Sequence, residues 1–312
     1  MQKINIKKTD LSVSPICLGG CPLGGYGWGN TQREDLINAV KTAYECGINF
    51  FDTADTYGLG ESERVLAEAL ESHKNDVIIT TKFGVRVENG KTTYDNSREY
   101  VFKAAEASLT RLKRDCIDLY QVHYRDGVTP ISDLVESLEL LREQGKIRYY
   151  GLSNIHEKDK EELSELGFNP FVSFQDEYSL ACRKNEADMI SFRDEFDMTP
   201  LTWGSLGQGI LSGKYDKNCK FDSNDRRSRD IYVNFHGEKL LKNLEIVEKM
   251  KEISHEVGKP VSSIAIRWIL DYLNESVVIV GAKTPAQVYQ NAEAMDWSLT
   301  KEQIELLDKI SR

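Results

Sequence analysis

The sequence predicts an α/β fold, a single (β/α)8 TIM barrel spanning residues 1–312, on three observations. Eight short apolar runs alternate with amphipathic stretches, and no low-complexity linker divides the chain. The 312 residues also suit one barrel, which needs roughly 250 plus insertions. Alternating strands and helices build a parallel sheet, because right-handed crossovers lay helices over it. Eight repeats favour closure over an open sheet.

The elements follow in order. Residues 1–13 stand outside the alternation. Ile4-Asn5-Ile6 and Leu11-Ser12-Val13 flank Thr9-Asp10 and predict an N-terminal β-hairpin that plugs the barrel bottom. Strands are predicted at 16–18, 49–51, 77–80, 117–122, 149–152, 171–174, 199–202 and 277–280. Between them, stretches such as 34–40 and 134–141 carry apolar residues at helical spacing. Ser62 marks a helix start and Gly47 a helix end. A long insertion separates strands seven and eight: a polar loop over 216–235, then helical patterns at 238–257 and 261–273.

Composition narrows the function classes. Fifty acidic against forty basic residues give a net charge of −10, which repels nucleic acid and anionic lipid. No stretch has the 18 or more apolar residues of a membrane span, and no signal core opens the chain, so a cytoplasmic protein is expected. Cys17, Cys21, Cys46, Cys116, Cys182 and Cys219 are scattered, without C-x-x-C or clustering with histidine; reduced thiols and no metal centre are expected.

Functional groups of a parallel barrel gather where strands run into the following loops. That row reads Asp52, Lys82, His123, Ser153-Asn154, Gln175 and Trp203. Each alone has a structural explanation, but burying several such groups at one mouth demands partners for all of them. Tyr57 lies on the loop leaving the second strand. A phenol is a poor acid near neutrality, and a close lysine ammonium, held by an aspartate, is expected to lower its pKa. His123 is expected to orient a substrate oxygen. The set contains no strong nucleophile, which suits chemistry where an outside hydride carrier does the difficult step. Two other signals fail. Gly25-Tyr26-Gly27-Trp28-Gly29-Asn30 does not complete G-x-G-x-x-G, and Arg226-Arg227-Ser228-Arg229, flanked by Asp222, Asp225 and Asp230, reads as a solvated loop rather than a phosphate clamp, with a loop folding over a bound cofactor as the other reading.

The chain resembles the aldo-keto reductase superfamily along nearly its whole length. The likeness rests on Phe51-Asp52-Thr53-Ala54-Asp55-Thr56-Tyr57-Gly58 with Glu61-Ser62-Glu63, then Thr81-Lys82, Asp118-Leu119-Tyr120-Gln121-Val122-His123 and Gly145-Lys146-Ile147-Arg148. It continues through Gly151-Leu152-Ser153-Asn154, Gly207 to Gly213-Lys214, and Gly281-Ala282-Lys283 with Gln287 and Asn291. It is nearest the bacterial branch that also resembles potassium-channel β subunits. The resemblance implies a catalytic tetrad of Asp52, Tyr57, Lys82 and His123, with Tyr57 protonating a carbonyl oxygen and histidine at 123 specifying carbonyl rather than carbon–carbon double-bond reduction. It implies NADPH as cofactor, with NADH less favoured. Ser153, Asn154 and Gln175 would hold the carboxamide, and Trp203 would stack on the nicotinamide. Leu206, Gly207, Gly209 and Lys214 would follow the pyrophosphate. Gly281, Lys283, Gln287 and Asn291 would surround the adenosine, with Lys283 as its single evident cation. Tyr26, Trp28 and Tyr124 are candidate substrate residues. The expected activity is reduction of small aldehydes or ketones to alcohols; the alternatives are a nucleotide-binding regulatory subunit with little turnover, or Schiff-base chemistry at Lys82.

Overall fold

The structure is a computed structural model and describes residues 3–88 and 90–312. A short antiparallel hairpin, β1 (Ile4–Asn5) with β2 (Ser12–Val13), precedes the barrel. The first barrel strand β3 (Ile16–Gly19) leads to α1 (Arg33–Glu45), β4 (Phe50–Asp52), α2 (Glu61–Ala69) and β5 (Ile78–Phe83). A second hairpin, β6 (Val85–Glu88) with β7 (Lys91–Tyr94), interrupts the alternation before α3 (Arg98–Leu112). Next come β8 (Ile117–Val122), α4 (Ile131–Glu143), β9 (Ile147–Ser153), α5 (Glu157–Glu165), β10 (Ser173–Glu177), α6 (Glu186–Asp194) and β11 (Thr199–Trp203). The long insertion carries α7 (Gly237–Val257) and α8 (Val261–Leu273) before β12 (Val277–Gly281), and α9 (Pro285–Ala292) and α10 (Lys301–Ser311) complete the ring.

The eight strands β3, β4, β5, β8, β9, β10, β11 and β12 close into a barrel, every neighbouring pair parallel. Because helices cover the outside and side chains fill the inside, strands such as β8 are buried at every position. The predicted TIM barrel and all eight strands are therefore present.

The N-terminal end of the barrel is filled by Ile6, Leu11 and Val13, packed against Cys17, Phe50, Leu119, Val172, Leu201, Val277 and Ile279. This is the expected plug; the first two residues of the segment lie outside the described ones. Gly47 follows α1 with φ 85°, as the helix-end reading required. Ser62 does not cap α2: its hydroxyl donates to the Gly20 carbonyl (2.8 Å) and accepts from Thr53 (2.7 Å), tying the start of α2 to the loop after β3. Among the described residues no helix is long and apolar enough to cross a membrane.

Candidate active site

Asp52 ends β4, Lys82 lies on β5, and His123 directly follows β8, so adjacent strands bring the three to one end of the barrel. Lys82 is fully buried and its ammonium donates to both Asp52 oxygens (2.7 and 2.6 Å) and to the Thr53 carbonyl (2.9 Å). Three donors and three acceptors leave the ammonium nothing further to give. An amine engaged with three acceptors is not placed to attack a carbonyl carbon, which disfavours Schiff-base chemistry. Behind Asp52 a buried amide chain holds the carboxylate. Gln175 Nε2 donates to Asp52 Oδ2 (2.9 Å) and to Gln121 Oε1 (2.9 Å), which also accepts from the Thr80 hydroxyl (3.1 Å).

Tyr57 is placed by a crossing of two backbones. A Cβ on Gly58 would lie 2.3 Å from the Gly24 carbonyl oxygen, and one on Gly24 would lie 2.7 Å from the Gly58 amide. Gly58 also has φ 61°, a conformation that costs a side-chain-bearing residue energy. The loop after β3 can therefore lie directly against the Tyr57 loop. The Tyr57 ring meets His123 edge to face, centroids 5.7 Å apart, and Lys82 Nζ lies 5.2 Å from the Tyr57 ring centre.

The electrostatics differ from the sequence expectation in one respect. Burial pushes the Tyr57 phenol well above 10, helped by Cys21, Asp52 and Tyr124, and the opposing cation is Arg226. Lys82 is not among the groups that lower this pKa; its three donors go to Asp52 and the Thr53 carbonyl. Burial and the Lys82 charge press His123 well below 6.5, so its imidazole is neutral at physiological pH. Its Nδ1 is buried without a partner, and its ring lies nearly parallel to Tyr124 (centroids 5.2 Å).

A cavity of about 310 Å³ opens in front of Tyr57 and His123. Its wall includes Cys21, Tyr26, Tyr124, Arg226 and the β6–β7 residues Val85, Val87, Thr92 and Tyr94. Tyr26 and Tyr124 thus line it. Trp28 lies outside that lining: its indole donates to Cys21 Sγ (3.3 Å) and its ring abuts Tyr232. Sequence reasoning missed the β6–β7 wall. Its signal was the alternation in Val85-Arg86-Val87-Glu88 and the Asn89-Gly90 pair behind it.

The solvated-loop reading of residues 226–229 is also corrected. Arg227 is buried, bonded to Asp225 through Nε (2.9 Å) and Nη2 (2.6 Å) and to the Tyr215 hydroxyl through Nη1, with Phe221 under its guanidinium. Acids flanking a basic run can pin it into the fold as readily as hydrate it.

The remaining predicted residues fall around the same mouth. The Ser153 hydroxyl donates to the Gln175 carbonyl (3.0 Å), and Asn154 Nδ2 donates to the His123 carbonyl (2.9 Å) and to Ser153 (3.1 Å). Gln175 gives its two amide hydrogens to Asp52 and Gln121, which leaves its Oε1 as the atom for a carboxamide. Trp203 ends β11 beside Glu177. Leu206 precedes a 3-10 segment, Gly207–Ser212, in which Gly207 (φ 54°) and Gly209 (φ 106°) adopt left-handed conformations. Gly281 ends β12, Asn291 is buried on α9, and Gln287 Oε1 accepts from the Lys283 amide (2.8 Å). Lys283 Nζ donates to the Trp28 carbonyl (2.6 Å). Lys283 is not a lone cation: burial, Arg227 and Lys214 all lower its pKa, against Asp225. Lys214, Arg227 and Lys283 thus act on one another near the single carboxylate of Asp225, with Gly29 and Gly209 beside two of them. A Cβ on Gly29 would lie 3.6 Å from Lys283 Nζ, and one on Gly209 would lie 3.7 Å from Arg227 Nη1. These residues fit the phosphates of a nicotinamide nucleotide.

A parallel barrel with a buried Asp–Lys pair, a tyrosine and a neutral histidine at its mouth defines a class, and comparison with known proteins gives the same answer. The model of the aldo/keto reductase family matches residues 15–312. The chain belongs to that family. Aldo-keto reductase YhdN of Bacillus subtilis (strain 168) is 31% identical over 97% of this chain and 91% of its own length. The NADH-specific methylglyoxal reductase of Escherichia coli (strain K12) is 28% identical over 96% and 95%. A probable voltage-gated potassium channel subunit beta of Arabidopsis thaliana is 29% identical over 95% and 92%. Among solved structures, the glycerol dehydrogenase AKR11B4 from Gluconobacter oxydans superposes with a TM-score of 0.89 at 31% identity, covering 99% of this chain and 94% of that one.

Proposed function

We propose that this protein reduces aldehydes or ketones to alcohols with NADPH, Tyr57 serving as general acid. The observation that carries the reading is the cavity itself: Tyr57 and His123 face it together, and the buried Lys82–Asp52 ion pair lies outside its lining, with Lys82 Nζ 5.2 Å from the Tyr57 ring centre.

A reduced nicotinamide, when bound, supplies the hydride. Ser153, Asn154 and Trp203 are the residues that would hold its ring end, and Lys214, Arg227 and Lys283 its phosphates. The chain's own part is to bind and polarise the carbonyl. Neutral His123 donates a hydrogen bond to the substrate oxygen through Nε2, while the Tyr57 hydroxyl offers its proton to the same atom. A phenol held above its ordinary pKa stays loaded at neutral pH. It still delivers, because the oxygen of a reduced carbonyl is a far stronger base than a phenolate. The phenolate that results lies between the charges of Lys82 and Arg226. Lys82 and Asp52 act by position, the Lys82 ammonium being fixed 5.2 Å from the Tyr57 ring centre. NADPH is favoured over NADH because Arg227 and Lys214 reinforce Lys283, more positive charge than a pyrophosphate alone requires.

The test is turnover of 4-nitrobenzaldehyde with NADPH by wild type and Tyr57→Phe. The substitution is expected to lower kcat by roughly 10²–10⁴-fold, the usual worth of a positioned acid, with NADPH affinity retained. Turnover at the wild-type level in the variant would show that the acid is another group.

A further inference from the structure

The far side of the cavity carries information about the substrate that the tetrad does not. Of the described side chains lining it, only Arg226 bears a formal charge. Arg226 is half-buried, and its guanidinium makes no hydrogen bond or ion pair among the described residues. Its neighbour Arg227 is the contrast, with three of its five N–H donors held by Asp225 and Tyr215.

The stem of Arg226 is nonetheless held. Its backbone N–H donates to the Gly27 carbonyl (3.0 Å), and its guanidinium carbon lies 5.3 Å from the Tyr26 ring centre. A Cβ on Gly27 would meet Arg226 Nε at 2.5 Å, so glycine there makes room for the arginine. The two arginines also part company across one loop: Arg226 packs on Gly27, whereas Arg227 reaches toward Gly29, Lys283 and Gly209. Arg227 thus sits with the candidate phosphate residues and Arg226 with the cavity. The local charge is unbalanced as well. Lys82 is ion-paired with Asp52, and His123 is neutral, which leaves Arg226 as the one unpaired positive side chain among the described residues lining the cavity of a chain with net charge −10. A fixed stem with free, unpaired donors is the arrangement that binds a carboxylate in bidentate fashion.

We propose that Arg226 binds a carboxylate on the carbonyl substrate, at the end remote from the reacting carbon, so that the preferred substrates are formyl or oxo acids. This rests on the reading of the cavity as a carbonyl-reduction site. The experiment compares kcat/KM for 4-carboxybenzaldehyde and its uncharged methyl ester, methyl 4-formylbenzoate, with NADPH. Wild type is expected to favour the acid by about tenfold or more, a ratio that Arg226→Gln brings close to one, chiefly through KM for the acid. Arg226→Lys is expected to keep part of the preference. Because the ratio is taken within one preparation, a partly folded variant does not distort it. Should Arg226→Gln fail to fold, the cationic 4-formyl-N,N,N-trimethylanilinium gives a wild-type test, with rates expected in the order anion, ester, cation. A wild-type ratio near one, or the same ratio in Arg226→Gln, would overturn the proposal. So would a rise in the NADPH dissociation constant of Arg226→Gln matching its loss of kcat/KM, which would assign the arginine to the cofactor. Failure of wild type to reduce either aldehyde sinks the reductase reading itself. Tyr57-dependent reduction without acid preference sinks only the role of Arg226.

Discussion

Asp55, between the two tetrad residues of the β4–α2 loop, shows how a single carboxyl can be costly and still be kept. Its backbone N–H donates to the Lys82 carbonyl (3.2 Å), and the Tyr100 hydroxyl donates to Oδ2 (3.4 Å), but Oδ1 is buried without a partner. Burial and then the charge of Glu63 raise its pKa from 3.8 to about 7. Glu63 is itself fully buried, held by the Thr81 hydroxyl (2.6 Å) and Arg111 (2.5 Å). A raised carboxyl pKa means the folded chain binds a proton that the unfolded chain has released. Asp55 therefore costs stability, most at pH above about 7, and the cost shrinks as pH falls through 7 toward 3.8. Asp55→Asn is expected to stabilise the fold by ~1–2 kcal/mol at pH 8 and by less at pH 5, read from urea unfolding at both values. Equal gains at the two pH values, or a loss at pH 8, would mean that the carboxylate has a compensating partner.

The strands and their C-terminal residues were legible in the sequence because eight apolar runs with polar ends carry their own period. Asp52, Lys82 and His123 could be read as a row, since a parallel barrel delivers strand ends to one side whatever the loops do. The loops were less legible. Trp28 lies one residue from Gly27, yet only coordinates show it turned to Cys21 and Tyr232 while Tyr26 turns to the cavity. The β11–α7 loop hid most. Its composition reads as solvated, but the Asp225–Arg227 pair and the aromatic bed of Tyr215, Phe221 and Phe235 fold it back over the mouth. That loop brings Arg227 to Lys283 and Lys214. Lys283→Ala is expected to weaken NADPH binding by about tenfold, and NADH binding by less, measured as quenching of protein fluorescence. An equal loss for both nucleotides would place Lys283 at a phosphate they share.

At the scale of the whole molecule, the barrel separates holding the fold from running the chemistry. The N-terminal end is closed by the apolar plug of Ile6, Leu11 and Val13, while the C-terminal end gathers the buried Asp52–Lys82 pair and the cavity above it. Such a buried pair is a poor source of stability but a firm anchor, because removing one partner strands the other in the interior. The expectation of a closed eight-stranded barrel held, because closure depends on the strand count and the helical cover, both written in the hydrophobic pattern, whereas the β6–β7 hairpin went unread. The phenol's acidity did not follow, because it depends first on how deeply the ring is buried, which a linear pattern does not give. The central claim is that hydride passes to a carbonyl carbon in this cavity while Tyr57 supplies the proton. The most direct measurement is NMR of the alcohol formed from 4-nitrobenzaldehyde and NADPH deuterated at C4 of the nicotinamide on the transferred face. The account predicts one deuterium at the carbinol carbon, formed by wild type and barely by Tyr57→Phe. An alcohol whose carbinol hydrogen came from solvent, or equal deuterated product from both proteins, would contradict it.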